Sequence, residues 1–422
     1  MDSVQVGSVL RRMSEGTRQR SALQSRNFRF FWLGQSLSLS GDRLASIALA
    51  LYVTLELKDP VGLGLILGAQ VAALAAVLLF GGVLADRFDR RHMIIATDLL
   101  CFVLHAITAW LILTGKANVL NLLIIEVGFG IGEGIYRPAF SGLLPQTVNE
   151  DLIHSAWGFA GASESASLAI GPALATALFF GAGPAWAFGI DALTFLVSAI
   201  SLSFVVPRVR GVVADSSEPM FRAIRTGWAE VKARKWVWVT IASWSLLLML
   251  SLAPWFVLGP IVAKQLYGSG TIYGLHETVF GIGMISGALL GTRLRPERPL
   301  RAALLMMIPW PLQFIFFGLG VPIAVLLPAA LAAGAGLGVY QVFWESALAH
   351  WIPPETLSRV SSWDWMGSTV LMPLGFVLAG PLATVIDPAT LIVIGGVIGG
   401  CCIALASLPT ETRQLRRAPD SV

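Results

Sequence analysis

A chain of 422 residues in which 55% are hydrophobic and only 13% charged is too apolar for a soluble domain, where about a quarter of the residues carry charge; its mean hydropathy of +0.74 points to a polytopic membrane protein. The net charge of +4 comes from basic residues scattered over alternate loops, which excludes a nucleic-acid-binding face. Three cysteines, Cys101, Cys401 and Cys402, all lie inside apolar runs and exclude a disulfide framework or a thiolate metal site.

The arm before Phe28 carries Arg11, Arg12, Arg18, Arg20 and Arg26. The apolar run after it is long, holds Asp42 and lacks a cleavage site, so it predicts a first membrane helix rather than a secretory signal. Apolar runs between breakers predict twelve spans, at 28–56, 61–84, 92–114, 117–141, 152–181, 184–206, 236–266, 271–293, 299–319, 322–350, 356–386 and 388–408. Each is long enough to cross ~30 Å of hydrocarbon at ~1.5 Å per residue. Of the 29 Lys and Arg, only Lys58, Lys116 and Lys264 fall in odd-numbered loops, and Arg43 and Arg137 fall within spans. The remainder sit in the tails and even-numbered loops, which predicts both termini in the cytoplasm.

An ionisable side chain inside the bilayer costs roughly 2.5–3.5 kcal/mol or more, so each one asks for a partner, a wet cavity or a function. In span 1, Gln35, Ser38, Asp42 and Ser46 recur at three- and four-residue steps and share one helix face, which turns Asp42 toward a cavity. Arg43 lies about 100° further round and is not thereby its partner. The loop between spans 2 and 3 reads Gly82-Val83-Leu84-Ala85-Asp86-Arg87-Phe88-Asp89-Arg90-Arg91, and Asp98 inside span 3 is placed to receive Arg87, Arg90 or Arg91. In span 4, Glu126, Gly130, Glu133 and Arg137 form one stripe. Glu133 and Arg137, one turn apart, either neutralise each other as a structural pair or serve transport, whereas Glu126 has no such neighbour and is the better proton carrier. Span 5 adds Glu164 with Ser167, followed by Gly171-Pro172, a pair that bends a helix and lets another approach. Asp191, His105, His276 and His350 read as isolated packing residues.

The polar interval 207–235 contains Phe221, Ile224, Trp228 and Val231 at helical spacing, which predicts a short amphipathic helix on the membrane surface, or else a solvated linker. In the second half, Asp364 shares a stripe with Ser361 and Ser368, and Glu277 and Glu345 near span ends are assigned to hydration and loop pairing. Trp236, Trp238, Trp351 and Trp363 read as interfacial anchors. The halves repeat at a shift of about 204 residues: Gly134-Ile135-Tyr136 with Leu144, Val148, Glu150 and Leu152 answers Gly338-Val339-Tyr340 with Leu348, Ile352, Glu355 and Leu357. This predicts an N-terminal six-helix bundle over 1–206, a linker over 207–235 and a C-terminal six-helix bundle over 236–422, with a substrate cavity between the bundles. No paired-histidine zinc motif follows His276-Glu277, and no phosphate loop ending in Gly-Lys-Ser occurs, so neither a zinc hydrolase nor an ATP pump is indicated.

The loop from Gly82 to Arg91 resembles the signature between helices 2 and 3 of the major facilitator superfamily, matching at Gly82, Leu84, Ala85, Asp86, Arg87, Arg90 and Arg91 and departing at Asp89, where the family has glycine. The Gly41-Asp42 pair, the Gly171-Pro172 bend and the Tyr136-Arg137-Pro138-Ala139 run resemble the bacterial drug and siderophore exporters of that family. The resemblance implies an all-α fold of twelve membrane helices in two parallel-repeated bundles, acting as a non-enzymatic transporter in the plasma (inner) membrane. It implies export of small amphipathic or lipophilic molecules by proton antiport, with Asp42, Glu126 or Glu164 taking the proton and no cofactor. It further implies that Asp86 latches the cytoplasmic gate against the start of span 11 in the outward-open state, with Arg87 and Arg90 tied to nearby acids. Its partners would be substrate, protons and lipid, in a monomer. A nutrient importer of the same fold and a non-transporting membrane receptor stay open as alternatives.

Overall fold

In a computed structural model, the residues described are 21–149, 152–208 and 220–416. The chain is helical, and its crossings follow the apolar runs. The first six helices are α1 (Arg26–Leu51, continued by a π turn at Tyr52–Glu56), α2 (Pro60–Arg87), α3 (Arg90–Leu113), α4 (Val119–Leu143), α5 (Ile153–Gly181) and α6 (Pro184–Ser203). Then come α7 (Met220–Ala233), α8 (Lys235–Leu247), α9 (Ala253–Tyr267), α10 (Thr271–Arg293), α11 (Pro299–Met306), α12 (Pro309–Gly318) and α13 (Ile323–Trp351). The last are α14 (Pro354–Thr369), α15 (Met372–Leu382), α16 (Pro388–Ala406) and the short α17 (Thr410–Gln414). Among the described residues, ten helical stretches are long and apolar enough to cross a membrane. Two more, α1 with its π turn and α10, match them in length but are more polar. Together they make the twelve crossings.

Local chemistry sets the ends. Asp89 takes the N-cap of α3, its side chain accepting from the His92 amide at 3.0 Å with φ −62°. Aspartate therefore serves at the position where the family motif carries glycine, because the turn here needs a cap and no left-handed backbone. Asn118 and Asn121 form a capping box at the start of α4, and proline opens α6, α11, α12, α14 and α16, where its missing N–H costs nothing. Three predicted spans are interrupted: a π turn at Leu248–Leu252 joins α8 to α9, a turn at Met307 and Ile308 precedes Pro309, and Val370 and Leu371 divide α14 from α15.

The same pairings recur in both halves of the chain. Helix α2 packs on α4 as α10 packs on α13, and α3 packs on α6 as α12 packs on α16. Glycine permits the first of these contacts, since a Cβ at Gly130 would stand 2.3 Å from the Gln70 carbonyl and one at Gly334 would stand 2.0 Å from the Phe280 carbonyl. The Gly-rich runs at 128–134 and 334–338 are therefore packing faces. Between the halves, α2 lies on α15 and α5 on α10, a reciprocal arrangement.

We call the end of the molecule that carries residues 87–91 the loop end and the opposite one the far end. The halves are closed together at the far end: Gly64 lies against the Phe376 carbonyl, Gly380 against Val61, and Gly270 against Leu51, Leu55 and Phe180. At the loop end, α7 packs on α14 through Trp228 and Trp363, whose rings are 4.8 Å apart, and Val231 is fully buried. At Trp228 and Val231 the apolar face expected on the membrane surface packs on protein instead, although Trp228 stays 39% exposed. The side chains of Phe221 and Ile224 lie outside the described residues. Trp236 also departs from expectation, being buried edge-on against Trp344 at 5.5 Å rather than anchoring at the interface. Trp363 is likewise engaged with the linker helix.

Candidate functional site

The interior space has two parts that share Arg43 and Ser46 in their linings, one lined by first-half residues alone and the other by residues of both halves. The part on the first half is about 480 Å³ and is lined by Asp42, Arg43, Asp98, Glu133, Arg137 and Glu164 together with Gln70, Tyr136 and Phe140. The part toward the second half is about 350 Å³ and is lined by aromatic side chains, Trp255, Phe256, Tyr273, Phe280, Trp310 and Phe314, with Glu277 and His276 among them. Arg43 and Ser46 line both parts and mark their junction. Toward the loop end the cavity reaches Trp157 and the exposed Arg137, whose guanidinium lies over the Trp365 ring at 4.7 Å and so bridges the halves.

Local packing explains how these side chains are aimed. Helix α1 is tied to α5 by a ladder of hydroxyls, Ser36 to Ser163 at 2.7 Å and Ser40 to Ser167 at 2.8 Å, with Trp32 Nε1 donating to Ser163 at 2.8 Å. On the neighbouring face, Tyr136 donates to Gln35 at 2.5 Å and Gln35 donates to Ser198 at 2.7 Å, which joins α4, α1 and α6. Those bonds leave the Asp42 face toward the cavity, with Asp42 Oδ1 buried and without a hydrogen-bond partner. The Gly171-Pro172 bend of α5 meets α1 at Arg43: a Cβ on Gly171 would stand 2.5 Å from Arg43 Cβ, so only glycine lets the two helices approach where the cavity parts join.

The predicted residues divide. Asp42, Arg43, Glu133, Arg137 and Glu164 come together on the cavity wall, with Glu133 and Arg137 in an ion pair. Glu126 does not reach the cavity; it is buried 3.9 Å from His105. Asp98 also lines the cavity, and neither Arg90 nor Arg91 of the signature loop is hydrogen-bonded to it. Arg91 instead donates to the Leu202 carbonyl at 3.0 Å and to the Ser203 carbonyl at 2.6 Å, Arg90 donates to the Gly142 carbonyl at 3.1 Å, and Asp98 Oδ2 is left without a partner. The side chains of Gly82, Asp86 and Arg87 lie outside the described residues. Asp364 accepts from Trp344 Nε1 at 2.8 Å, away from the cavity.

Three residues acquire different surroundings from those expected. Glu277 is a cavity residue, not a loop partner, and accepts from Trp255 Nε1 at 2.9 Å. His276 is wedged between Trp255 at 4.7 Å and Phe317 at 5.5 Å. His105 and Asp191, read as isolated, are hydrogen-bonded to each other. The His276-Glu277 dipeptide inside an apolar run was a usable signal for a cavity wall. No such signal exists for His105 and Asp191, which lie on different helices and are 86 positions apart. Among the described residues, no cluster of three or more His, Cys, Asp or Glu side chains is arranged to hold a metal ion. Chemically, the arrangement offers a carboxylate-rich space beside an aromatic one, suited to a bulky apolar body with a polar or charged group.

Comparison with known proteins agrees with this architecture. A family model described as the Major Facilitator Superfamily matches residues 31–347. The chain is 23% identical over 411 residues to macrolide efflux protein A of Streptococcus pyogenes, covering 92% of this chain and 97% of that protein. It is also 23% identical over 400 residues to the enterobactin exporter EntS of Salmonella typhi, covering 93% and 94%. Among solved structures, a bacterial homolog of the human lysosomal transporter Spinster, in an inward-facing and occupied conformation, superposes with a TM-score of 0.70 at 14% identity, covering 94% of this chain and 99% of that one. The nucleoside transporter NupG superposes with a TM-score of 0.68 at 13% identity, covering 91% and 100%.

Proposed function

The chain belongs to the major facilitator superfamily, and we propose that it exports small amphipathic or lipophilic molecules by proton antiport through alternating access. The observation that carries this reading is an acidic space in the first half adjoining, at Arg43 and Ser46, an aromatic space lined by both halves, with the far end shut by close contacts of α2 with α15 and α5 with α10. The efflux named for two relatives of nearly equal length supports the direction. In this reading the units that rock are 1–206 and 236–422, joined by 207–235. The membrane is the plasma membrane, and the loop end with both termini faces the cytoplasm. Substrate enters from the loop end, and protons arrive from the far end once it opens. Asp42, Glu133 and Glu164 are the carboxylates placed where a proton and a substrate compete, with Asp42 set apart by its unpartnered oxygen.

The test is transport in proteoliposomes with an imposed proton gradient, following a radiolabelled macrolide in wild type, Asp42→Asn and Glu164→Gln. Movement of the macrolide against the proton flow, abolished in one variant, supports antiport and identifies the coupling carboxylate. Movement with the protons makes the protein an importer. Transport indifferent to the gradient makes it a facilitator, and absence of transport removes macrolides from its substrates.

A further inference from the structure

Behind the first-half wall of the cavity lies a cluster that the substrate does not touch. His105 of α3, Glu126 of α4 and Asp191 of α6 are 2%, 4% and 0% exposed. His105 Nδ1 is hydrogen-bonded to the Asp191 carboxylate, and its other ring nitrogen has no partner and faces Glu126 Oε1 at 3.9 Å. Phe129 stacks flat on the imidazole at 4.7 Å, while Phe188 and Phe195 present edges at 5.7 and 5.9 Å. Phe129 and Phe195 also line the cavity, so these rings form the wall between the cluster and the substrate path.

By depth along the helices, the cluster lies between the far end and Asp42. Glu126 lies seven residues in from Val119, Asp191 seven from Pro184, and His105 eight before Leu113, so all three are roughly 10 Å from the far end at ~1.5 Å per residue. Asp42 lies on the loop side of them. A Cβ at Gly41 would stand 2.1 Å from Asp191 Oδ1, so the backbone beside Asp42 is pressed against the cluster.

The charge count is unbalanced. The other titratable or charged groups around the cluster are Asp42 and Arg43 of α1, Asp98 and Cys101 of α3, and Glu133 of α4. Among the described residues, no Lys or Arg pairs with His105, Glu126 or Asp191. Asp191 accepts from Thr194 Oγ1 at 3.2 Å besides its bond with His105, but no cation pairs with either carboxylate, and a buried carboxylate without a counter-charge is costly. A proton relieves that cost without needing space.

We infer that His105, Glu126 and Asp191 form a second proton-binding site behind the cavity, loaded from the far end and discharged toward the coupling carboxylates at Asp42, an inference that rests on the antiport reading above. Loading forms an Nε2–H bond with a proton taken from hydronium, and the imidazolium then bridges the two carboxylates. A distance of 3.9 Å is too long for a hydrogen bond, so loading draws Glu126 inward. Discharge breaks an N–H bond and returns the proton to water in the cavity.

The experiment uses the full chain in proteoliposomes with the macrolide probe. It compares exchange at equal pH with transport driven by a proton gradient in wild type, Glu126→Gln, Glu126→Asp and His105→Gln. Glu126→Gln and His105→Gln are expected to lose gradient-driven transport by on the order of tenfold or more while keeping exchange within about twofold. Glu126→Asp, which keeps a titratable group, is expected to recover part of the drive. Full drive in Glu126→Gln overturns the inference and leaves the antiport reading standing. Loss of exchange together with drive in that nearly isosteric variant also overturns it, because a packing role would produce that result. A wild type indifferent to the gradient overturns the antiport reading, and this inference with it. If His105→Gln assembles poorly, Glu126→Gln decides alone.

Discussion

Glu277 is held in the aromatic half of the cavity by one hydrogen bond from Trp255, and its setting shows how a single side chain changes meaning with its neighbours. Removing that donor in Trp255→Phe leaves a partly buried carboxylate short of a bond that is worth about 1.5–3 kcal/mol when one partner is charged. Trp255→Phe and Glu277→Gln should each raise the half-saturating substrate concentration by roughly tenfold, and the double variant should do little more, as expected of residues acting as one unit. Transport assays on all three proteins check this, and additive losses would break the pairing. The sequence placed Asp42, Glu133 and Glu164 on polar stripes because helical period alone decides which face they share. It could not place Glu277, whose role depends on a tryptophan one span away, nor Asp98, whose pairing depends on where Arg90 and Arg91 find carbonyls. The latch expected of Asp86 has its own test: Asp86→Asn should impair transport severely while leaving the amount of protein in the membrane unchanged, and unaltered transport would remove the latch.

The contact of α2 with α15 is made at backbone distance, and this is where elements set conformation. A Cβ on Gly64 would stand 2.2 Å from the Phe376 carbonyl, so Gly64→Ala must push the far end apart at an overpacking cost of about 1–3 kcal/mol. In the alternating-access cycle proposed above, that cost is relieved by rocking toward a far-end-open state. A cysteine placed at Ser46 in a background lacking the three native cysteines should then react faster with an impermeant thiol reagent applied from the far side, by roughly fivefold or more. An unchanged rate would show that the strain is absorbed within α2. At this scale the sequence was informative, because apolar length against bilayer thickness fixes a crossing almost by itself. It was less so for the breaks at Met307 and Leu371, since proline inside an apolar run is compatible with a bent helix as well as an interrupted one. The linker helix α7 was visible from its periodicity, but which surface its apolar face would cover was not, because Trp363 and Arg359 come from a span more than a hundred residues away.

At the scale of the whole molecule, the two adjoining parts of the interior space are chemically unequal although the halves repeat one architecture. Asp42, Asp98, Glu133, Glu164 and Glu277 line the two parts with Arg43 and Arg137 beside them, so formal acids outnumber formal bases. A low-dielectric cleft with one sign in excess concentrates ligands of the other sign, and aromatic rings add attraction for a cation near their faces. Among compounds sharing one apolar skeleton, those bearing an amine should therefore inhibit macrolide transport at lower concentration than the neutral or carboxylate forms, by about tenfold for a difference of ~1.4 kcal/mol. Glu277→Gln should narrow the gap between the amine and the neutral compound without affecting the neutral one. Competition assays with such a series decide the matter. Equal potency of amine and neutral forms would show that the acids are neutralised by protons in the conformation that binds substrate, and that the cavity selects by shape and apolar surface alone.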